Sequence, residues 1–231
     1  MSDSVGFRIF TSVQRADAAL IERFRNIPSS NINDMMNRLY CTNGSIHQMN
    51  GRSLLGTAIT VKAPIGDNMV FHRALDIAGP GDVLVVDGGG CCDRSLAGEI
   101  MLTYAAKRGI AGIVVDGALR DLDGIRNCPI PIYCKAITPQ GPYKNGPGEI
   151  NVPVCCGGVA VLPGDIVVGD SDGIVFIRPD DAPFVIEKAE KKLATEEKKL
   201  AAYHTVGIDE EKHSATYIKK MEDAGALVLG E

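Results

Sequence analysis

The chain has 231 residues, 45% of them hydrophobic, and carries 29 acidic against 24 basic side chains for a net charge of −5. That length supports one sizeable core, and the charge balance gives no global basic field for nucleic acid or an anionic membrane surface. No apolar run approaches the roughly 20 residues that span a bilayer.

Residues 12–26 read as an amphipathic helix stopped before Pro28, and a second helix begins after Ser29-Ser30, around residues 33–36. Residues 57–62 are rich in β-branched side chains and read as a strand. Residues 67–78 follow as a helix closed by Gly79-Pro80-Gly81, and residues 83–86 form the next strand. A Gly-rich loop at 88–90 leads to a helix from Gly98 to Lys107 that ends at Gly109. The strand Ile113-Val114-Val115 and a short helix after Arg120 complete a strand–helix–strand rhythm. Continuous apolar strands alternating with helices imply a largely parallel sheet covered on both faces. Beyond residue 130 Pro and Gly become dense and short β segments recur at 150–154, 158–162, 166–168 and 173–177, a mixed or antiparallel half. The Pro-Gly-Asp turns at 80–82 and 163–165 read as matched lead-ins to strands. Residues 180–202 read as a long helix rich in Lys and Glu at i,i+4 spacing, and a last helix spans about 215–224. The chain therefore divides into an α/β domain, 1–179, and a charged helical extension, 180–231, suited to a subunit interface.

Residues 1–5 lack a basic segment ahead of a long apolar one, so no signal peptide is read and a cytoplasmic location is expected. Seven cysteines, an odd number in a reducing compartment, argue against a disulfide framework. The adjacent pairs Cys91-Cys92 and Cys155-Cys156 lack the two-residue gap of zinc and redox sites and read as small thiols. Gly88-Gly89-Gly90 fits neither the dinucleotide fingerprint nor the phosphate loop; its glycines would let backbone close over a small ligand. Lys62 at a strand end is not read as a Schiff-base lysine, His47 falls in a loop, and His72 is expected to pack behind the Asn68 loop. His204 and His213 read as solvated.

The chemistry concentrates in two pairs. Gly98-Glu99 opens a helix, where unpaired N–H groups can receive an anion. Arg120-Asp121 sets a planar two-pronged donor for a carboxylate beside an acid suited to a hard divalent cation. The bland readings are first-turn acids favoured by the helix dipole. Position favours the functional one: both pairs, and Asn68, fall just beyond the C-terminal ends of successive parallel strands, where open α/β sheets bind ligands.

Taken in order, Gly66-Asp67-Asn68, His72, Ala74-Leu75, the run 80–86, Gly98-Glu99, Asp116-Gly117, Arg120-Asp121, Pro163-Gly164-Asp165, the run 172–175 and the acidic stretch at Glu196-Glu197 resemble the family of 4-hydroxy-4-methyl-2-oxoglutarate aldolases and regulators of ribonuclease E activity. The resemblance implies a swivelling β/β/α domain like the phosphohistidine domain, with a C-terminal helical extension, assembled as homotrimers or hexamers. It implies a class II pyruvate aldolase, without a Schiff-base lysine, that cleaves 4-hydroxy-4-methyl-2-oxoglutarate or 4-carboxy-4-hydroxy-2-oxoadipate through an enolate and decarboxylates oxaloacetate as a side activity. Asp121 would bind the metal, Mg²⁺ or Mn²⁺, and Arg120 the keto oxygen. The turn Gly98, Glu99, Ile100 and Met101, with Asn68, would receive the pyruvoyl carboxylate. Glu99 would stand behind the metal site, and Glu196 or Glu197 of a neighbouring copy would line it. The alternative within the family is a trimeric protein inhibitor of a ribonuclease without catalytic activity. Neither nucleic acid nor membrane is an expected partner.

Overall fold

Four parallel strands with apolar side chains on both faces organise the protein. The computed structural model describes residues 4–226. In chain order the elements are α1 (Ala18–Glu22), α2 (Ser29–Met35), β1 (His47–Gln48), β2 (Leu54–Lys62), α3 (Met69–Ile77), β3 (Asp82–Asp87), α4 (Glu99–Lys107), β4 (Gly112–Leu119), α5 (Leu122–Asn127), β5 (Ile132–Ile137), β6 (Glu149–Ile150), β7 (Val154–Cys156), β8 (Val159–Val161), β9 (Ile166–Gly169), β10 (Ile174–Ile177), α6 (Ala182–Thr205) and α7 (Glu210–Asp223). The chain forms two compact units divided after Glu190.

In the first unit the sheet order is β1-β5-β4-β3-β2-β9-β10, with β6 on β2. Strands β2 to β5 run parallel; β9, β10, β6 and β1 are antiparallel to their neighbours. Alternation along each strand separates two cores. Ile59, Val61, Leu84, Val86, Ile113 and Val115 face Phe71, Leu75, Leu102, Ala105 and Ile125 of α3, α4 and α5. Ala58, Val83, Val85 and Val114 face the other way, against Val154, Cys156, Val159 and Val161. A β7–β8 hairpin thus covers the face where a doubly wound fold would carry helices. The architecture is β/β/α, as the resemblance implied, with helices at the C-terminal end of the chain.

Local differences have physical causes. The helix expected over 12–26 is confined to α1 and capped by Asp17. Arg15 ahead of it is drawn away by a two-pronged bond to the buried carboxylate of Asp82, at 2.8 and 2.9 Å. His47 sits in β1 rather than in a loop. Gly88 and Gly90 both donate to the Asp116 carbonyl at 3.1 Å, which holds the Gly-rich loop against β4. Asp82 and Asp165 of the two Pro-Gly-Asp turns each accept a backbone N–H three residues earlier, and each pairs with an arginine, Arg15 or Arg178. All seven cysteines are free; Cys155 and Cys156 point to opposite faces of β7. Lys62 is exposed.

In the first stretch of α6 Ala182, Val185, Ile186 and Ala189 are buried. From Lys191 onward no described residue is buried, and Lys192 pairs with Glu196 at 3.4 Å. The final helix α7 begins earlier than the composition suggested. No helix among the described residues is long and apolar enough to cross a membrane.

Leu84 on β3 is fully buried at the centre of the helix-side core. Leu84→Ala should cost about 2–5 kcal/mol of unfolding free energy, measured by denaturant titration with an unchanged m-value; a loss under 1 kcal/mol would contradict this packing.

Candidate active site

The loops that follow the four parallel strands meet in one cleft of about 140 Å³, lined by Asn68, His72, Ala97, Gly98, Ile100, Met101, Arg120, Asp121, Pro142 and Lys144. Asn68 follows β2, Gly98 to Met101 follow β3, Arg120 and Asp121 follow β4, and Pro142 and Lys144 follow β5. This is the strand-end position where open α/β sheets hold ligands.

Asp121 is the N-cap residue of α5, yet its side chain makes no capping bond there, and its backbone takes a left-handed conformation at φ 65°. Such a conformation is uncommon for a side-chain-bearing residue and costs free energy that its surroundings must supply. Its carboxylate instead crosses to the start of α4, where Oδ2 accepts the Glu99 N–H at 3.0 Å. Arg120 Nε stands 3.7 Å from the same oxygen. Gly98 fits because it has no Cβ: one would collide with Asp121 Oδ2 and approach Arg120 Cγ at 2.9 Å. Its φ of −143° is ordinary extended backbone, so space, not conformation, demands glycine. Arg120 N–H donates to the Ala97 carbonyl at 3.0 Å, locking the two loops together.

The α4 turn offers its first N–H groups without intrahelical partners. Glu99 N–H is spent on Asp121, which leaves Ile100 and Met101 at the cleft wall. The Glu99 carboxyl lies over Gly124 of α5, where a Cβ would meet Glu99 Cδ at 2.5 Å, and Glu99 is not among the side chains lining the cleft. Asn68 is buried at the head of α3, and its Nδ2 donates to the Leu96 carbonyl at 2.8 Å and contacts Met101 Sδ at 3.4 Å. Those bonds commit the amide hydrogens, so Asn68 lines the cleft but does not offer its side-chain donor to a carboxylate. Glu196 belongs to the second unit, paired with Lys192.

Two titratable residues of the cleft escaped the sequence reading. His72 lines the cleft instead of packing behind the Asn68 loop, and Lys144 joins from the loop after β5. Lys144 was open to detection by extending the strand-end rule to β5; the Pro- and Gly-dense composition hid it. Its loop is held by Asp67, whose carboxylate accepts the N–H groups of Met69, Asn145 and Gly146. Burial raises the Asp67 carboxyl, and these three donors outweigh it to hold the group below its ordinary range. Tyr143 exchanges backbone bonds with Gly66 and Asn68 and lies under the Arg94 guanidinium at 4.2 Å. Partial burial, then the Lys144 charge, push the His72 imidazole below its ordinary value, and Asp76 opposes them. The cleft thus combines cationic donors, helix N–H groups, an imidazole held neutral and one half-exposed carboxylate.

A metal could be held only in an open manner. Among the described residues no group of three or more His, Cys, Asp or Glu could enclose an ion. One carboxylate, 44% exposed on the cleft wall, fits a hard cation that keeps several waters and takes other oxygens from a ligand.

A family model described as RraA-like: Aldolase/RraA matches residues 29–176. A Thermus thermophilus protein named 4-hydroxy-4-methyl-2-oxoglutarate aldolase is 37% identical over 127 residues, covering 55% of this chain and 77% of its own. A relative from Halalkalibacterium halodurans, named after the same activity, is 40% identical over 186 residues, 80% of this chain and 89% of its own. Among solved structures, the RNA-processing inhibitor RraA of Thermus thermophilus superposes with a TM-score of 0.61 at 33% identity, covering 65% of this chain and 92% of that one. RraAS2 of Streptomyces coelicolor, described as an unusual member of the RNase ES inhibitor RraA family, superposes at 0.73 with 29% identity over 81% and 99%.

In an NMR titration His72 should ionise below 6.5, Lys144→Ala should raise that value, and Asp76→Asn should lower it. Because the folded-state value lies below the unfolded one, the His72 contribution to stability is complete above about pH 6.5. It is lost as pH falls from there through the folded value. A His72 titrating above 6.5 would contradict the arrangement.

Proposed function

Because the chain belongs to the Aldolase/RraA family, we propose that it is a divalent-metal-dependent lyase that cleaves 4-hydroxy-4-methyl-2-oxoglutarate, or 4-carboxy-4-hydroxy-2-oxoadipate, to pyruvate. The observation that carries this reading is the composition of one cleft: Arg120, Lys144, the α4 N-terminus and the single carboxylate of Asp121.

A substrate of this class has a carboxylate and a 2-oxo group at one end and a further carboxylate at the other. The Ile100 and Met101 N–H groups receive the first carboxylate, aided by the helix dipole. The Arg120 guanidinium faces the 2-oxo oxygen and meets the negative charge that develops there as the C3–C4 bond breaks to the pyruvate enolate. Lys144 balances the distal carboxylate. The His72 imidazole, kept neutral near pH 7, holds a lone pair able to take the C4 hydroxyl proton. Asp121 would hold Mg²⁺ or Mn²⁺, which when bound supplies Lewis-acid polarisation of the 2-oxo group. Glu99 fixes the site through its backbone, its N–H orienting Asp121. Loss of CO₂ from oxaloacetate gives the same enolate, so the same residues support oxaloacetate decarboxylation. The proposal includes a cytoplasmic homotrimer or hexamer in which Glu196 or Glu197 of one copy approaches the cleft of the next.

The second reading, a ribonuclease inhibitor without turnover, draws on the likeness to the Thermus RNA-processing inhibitor. Pyruvate release separates the two. With Mg²⁺, both 4-hydroxy-4-methyl-2-oxoglutarate and oxaloacetate should be turned over, and excess chelator should abolish both reactions. Asp121→Ala and Arg120→Ala should each lower kcat/KM at least 100-fold. Turnover that survives chelator and Asp121→Ala would contradict the metal role. No turnover with either substrate would contradict the lyase and favour the inhibitor.

A further inference from the structure

The cleft opens sideways into a second space. His72, Ile100 and Met101 line the cleft and also a wider groove of about 470 Å³ between α3 and α4. One face of α3 gives that groove Met69, Arg73 and Asp76, and α4 gives it Tyr104. The groove is apolar where it leaves the cleft: Ile100, in the first turn of α4, is 84% exposed, and Tyr104, one turn on, is 45% exposed. Its two charges cancel. Arg73 stands 3.5 Å from Asp76, whose carboxylate also accepts the Tyr104 hydroxyl at 2.9 Å. Lys144 lines the cleft and not the groove.

On the lyase reading, the C4 atom of the substrate carries a hydroxyl, a carboxylate balanced by Lys144, and a third group. The two substrates proposed above differ only in that third group, a methyl or a carboxymethyl. We infer that the groove between α3 and α4 receives the third group and selects an alkyl chain longer than methyl, so that the substrate class is the 4-alkyl-4-hydroxy-2-oxoglutarates. The inference deepens the lyase reading and rests on it. A chain of two to four carbons covers Ile100 and then the Tyr104 ring, apolar surfaces that gain by leaving water. A carboxymethyl group in the same place meets an arginine already paired and the Asp76 charge beside it, and gives up its hydration without a new partner. The reaction balances as before. The C3–C4 electron pair stays with the pyruvate enolate, which is then protonated at C3, and the C4 hydroxyl proton goes to the base. C4 becomes the oxo carbon of a 2-oxo acid that keeps the alkyl chain, 2-oxopentanoate where that chain is propyl.

The test compares three substrates of the full chain with Mg²⁺, carrying methyl, propyl or carboxymethyl at C4, with rates counted per C3–C4 bond broken. Each methylene removed from water strengthens binding up to about fourfold, so the propyl compound should exceed the methyl compound in kcat/KM by about threefold or more. The carboxymethyl compound should fall below the methyl compound by about tenfold or more. Ile100→Ala trims a side chain that is exposed, and so leaves the core intact; it should bring the propyl compound to within about 1.5-fold of the methyl compound. Ile100→Lys sets a cation where the groove leaves the cleft, and should raise the carboxymethyl-to-methyl ratio by about tenfold. A propyl compound no better than methyl, a carboxymethyl compound as good as methyl, or ratios that neither variant changes would each overturn the inference. A wild-type protein that releases pyruvate from none of the three refutes the lyase reading itself, whereas an active enzyme with the wrong ratios refutes the groove assignment alone.

Discussion

The cleft depends on one close approach: the carboxylate of Asp121 reaching across Gly98 to the first N–H of α4. It ties the loop after β4 to the loop after β3 with a charge-assisted bond. The left-handed backbone at Asp121 turns the side chain away from its own helix, and the absence of a Cβ at Gly98 makes room for it. One interaction thus sets where the carboxylate sits, which α4 amides remain for a ligand, and where Arg120 stands beside both.

The rest of the fold makes that approach reproducible. Strands β2 to β5 are held by apolar side chains on both faces, so their C-terminal ends form a fixed rim. At the opposite end Arg15 and Asp82 tie the segment before α1 to the start of β3. Asp67 performs a related task within the rim, since its carboxylate joins Met69 N–H of α3 to the Asn145 and Gly146 N–H groups of the segment that brings Lys144 to the cleft. Rigid strands with individually anchored loops suit a site that must be organised before its ligand arrives.

Much of this was legible in the residues. The apolar runs at 57–62, 83–86 and 113–115 marked buried parallel strands, and the strand-end rule brought Asn68, the 98–101 turn and Arg120-Asp121 to one place. What stayed hidden depended on contacts between distant residues. Arg15 looks like one more polar position on an amphipathic helix until Asp82 claims it. The hairpin of β7 and β8 reads as two short β segments, with nothing local to place it over the sheet face opposite the helices. His72 looked like a packing residue because helical spacing cannot tell a core face from a cleft wall. The direction of the Asn68 amide follows from Leu96, 28 residues away.

On the proposed function, the space left at Gly98 shapes the site that takes pyruvate and is not needed for the fold. Isothermal titration of pyruvate with Mg²⁺ into wild type and Gly98→Ala, with melting curves for both, tests it most directly. The variant should melt about 2–8 °C below wild type, a loss on the order of 1–2 kcal/mol, and bind pyruvate at least tenfold more weakly, because the added methyl displaces Asp121 and Arg120. Unchanged pyruvate affinity in the folded variant would contradict it.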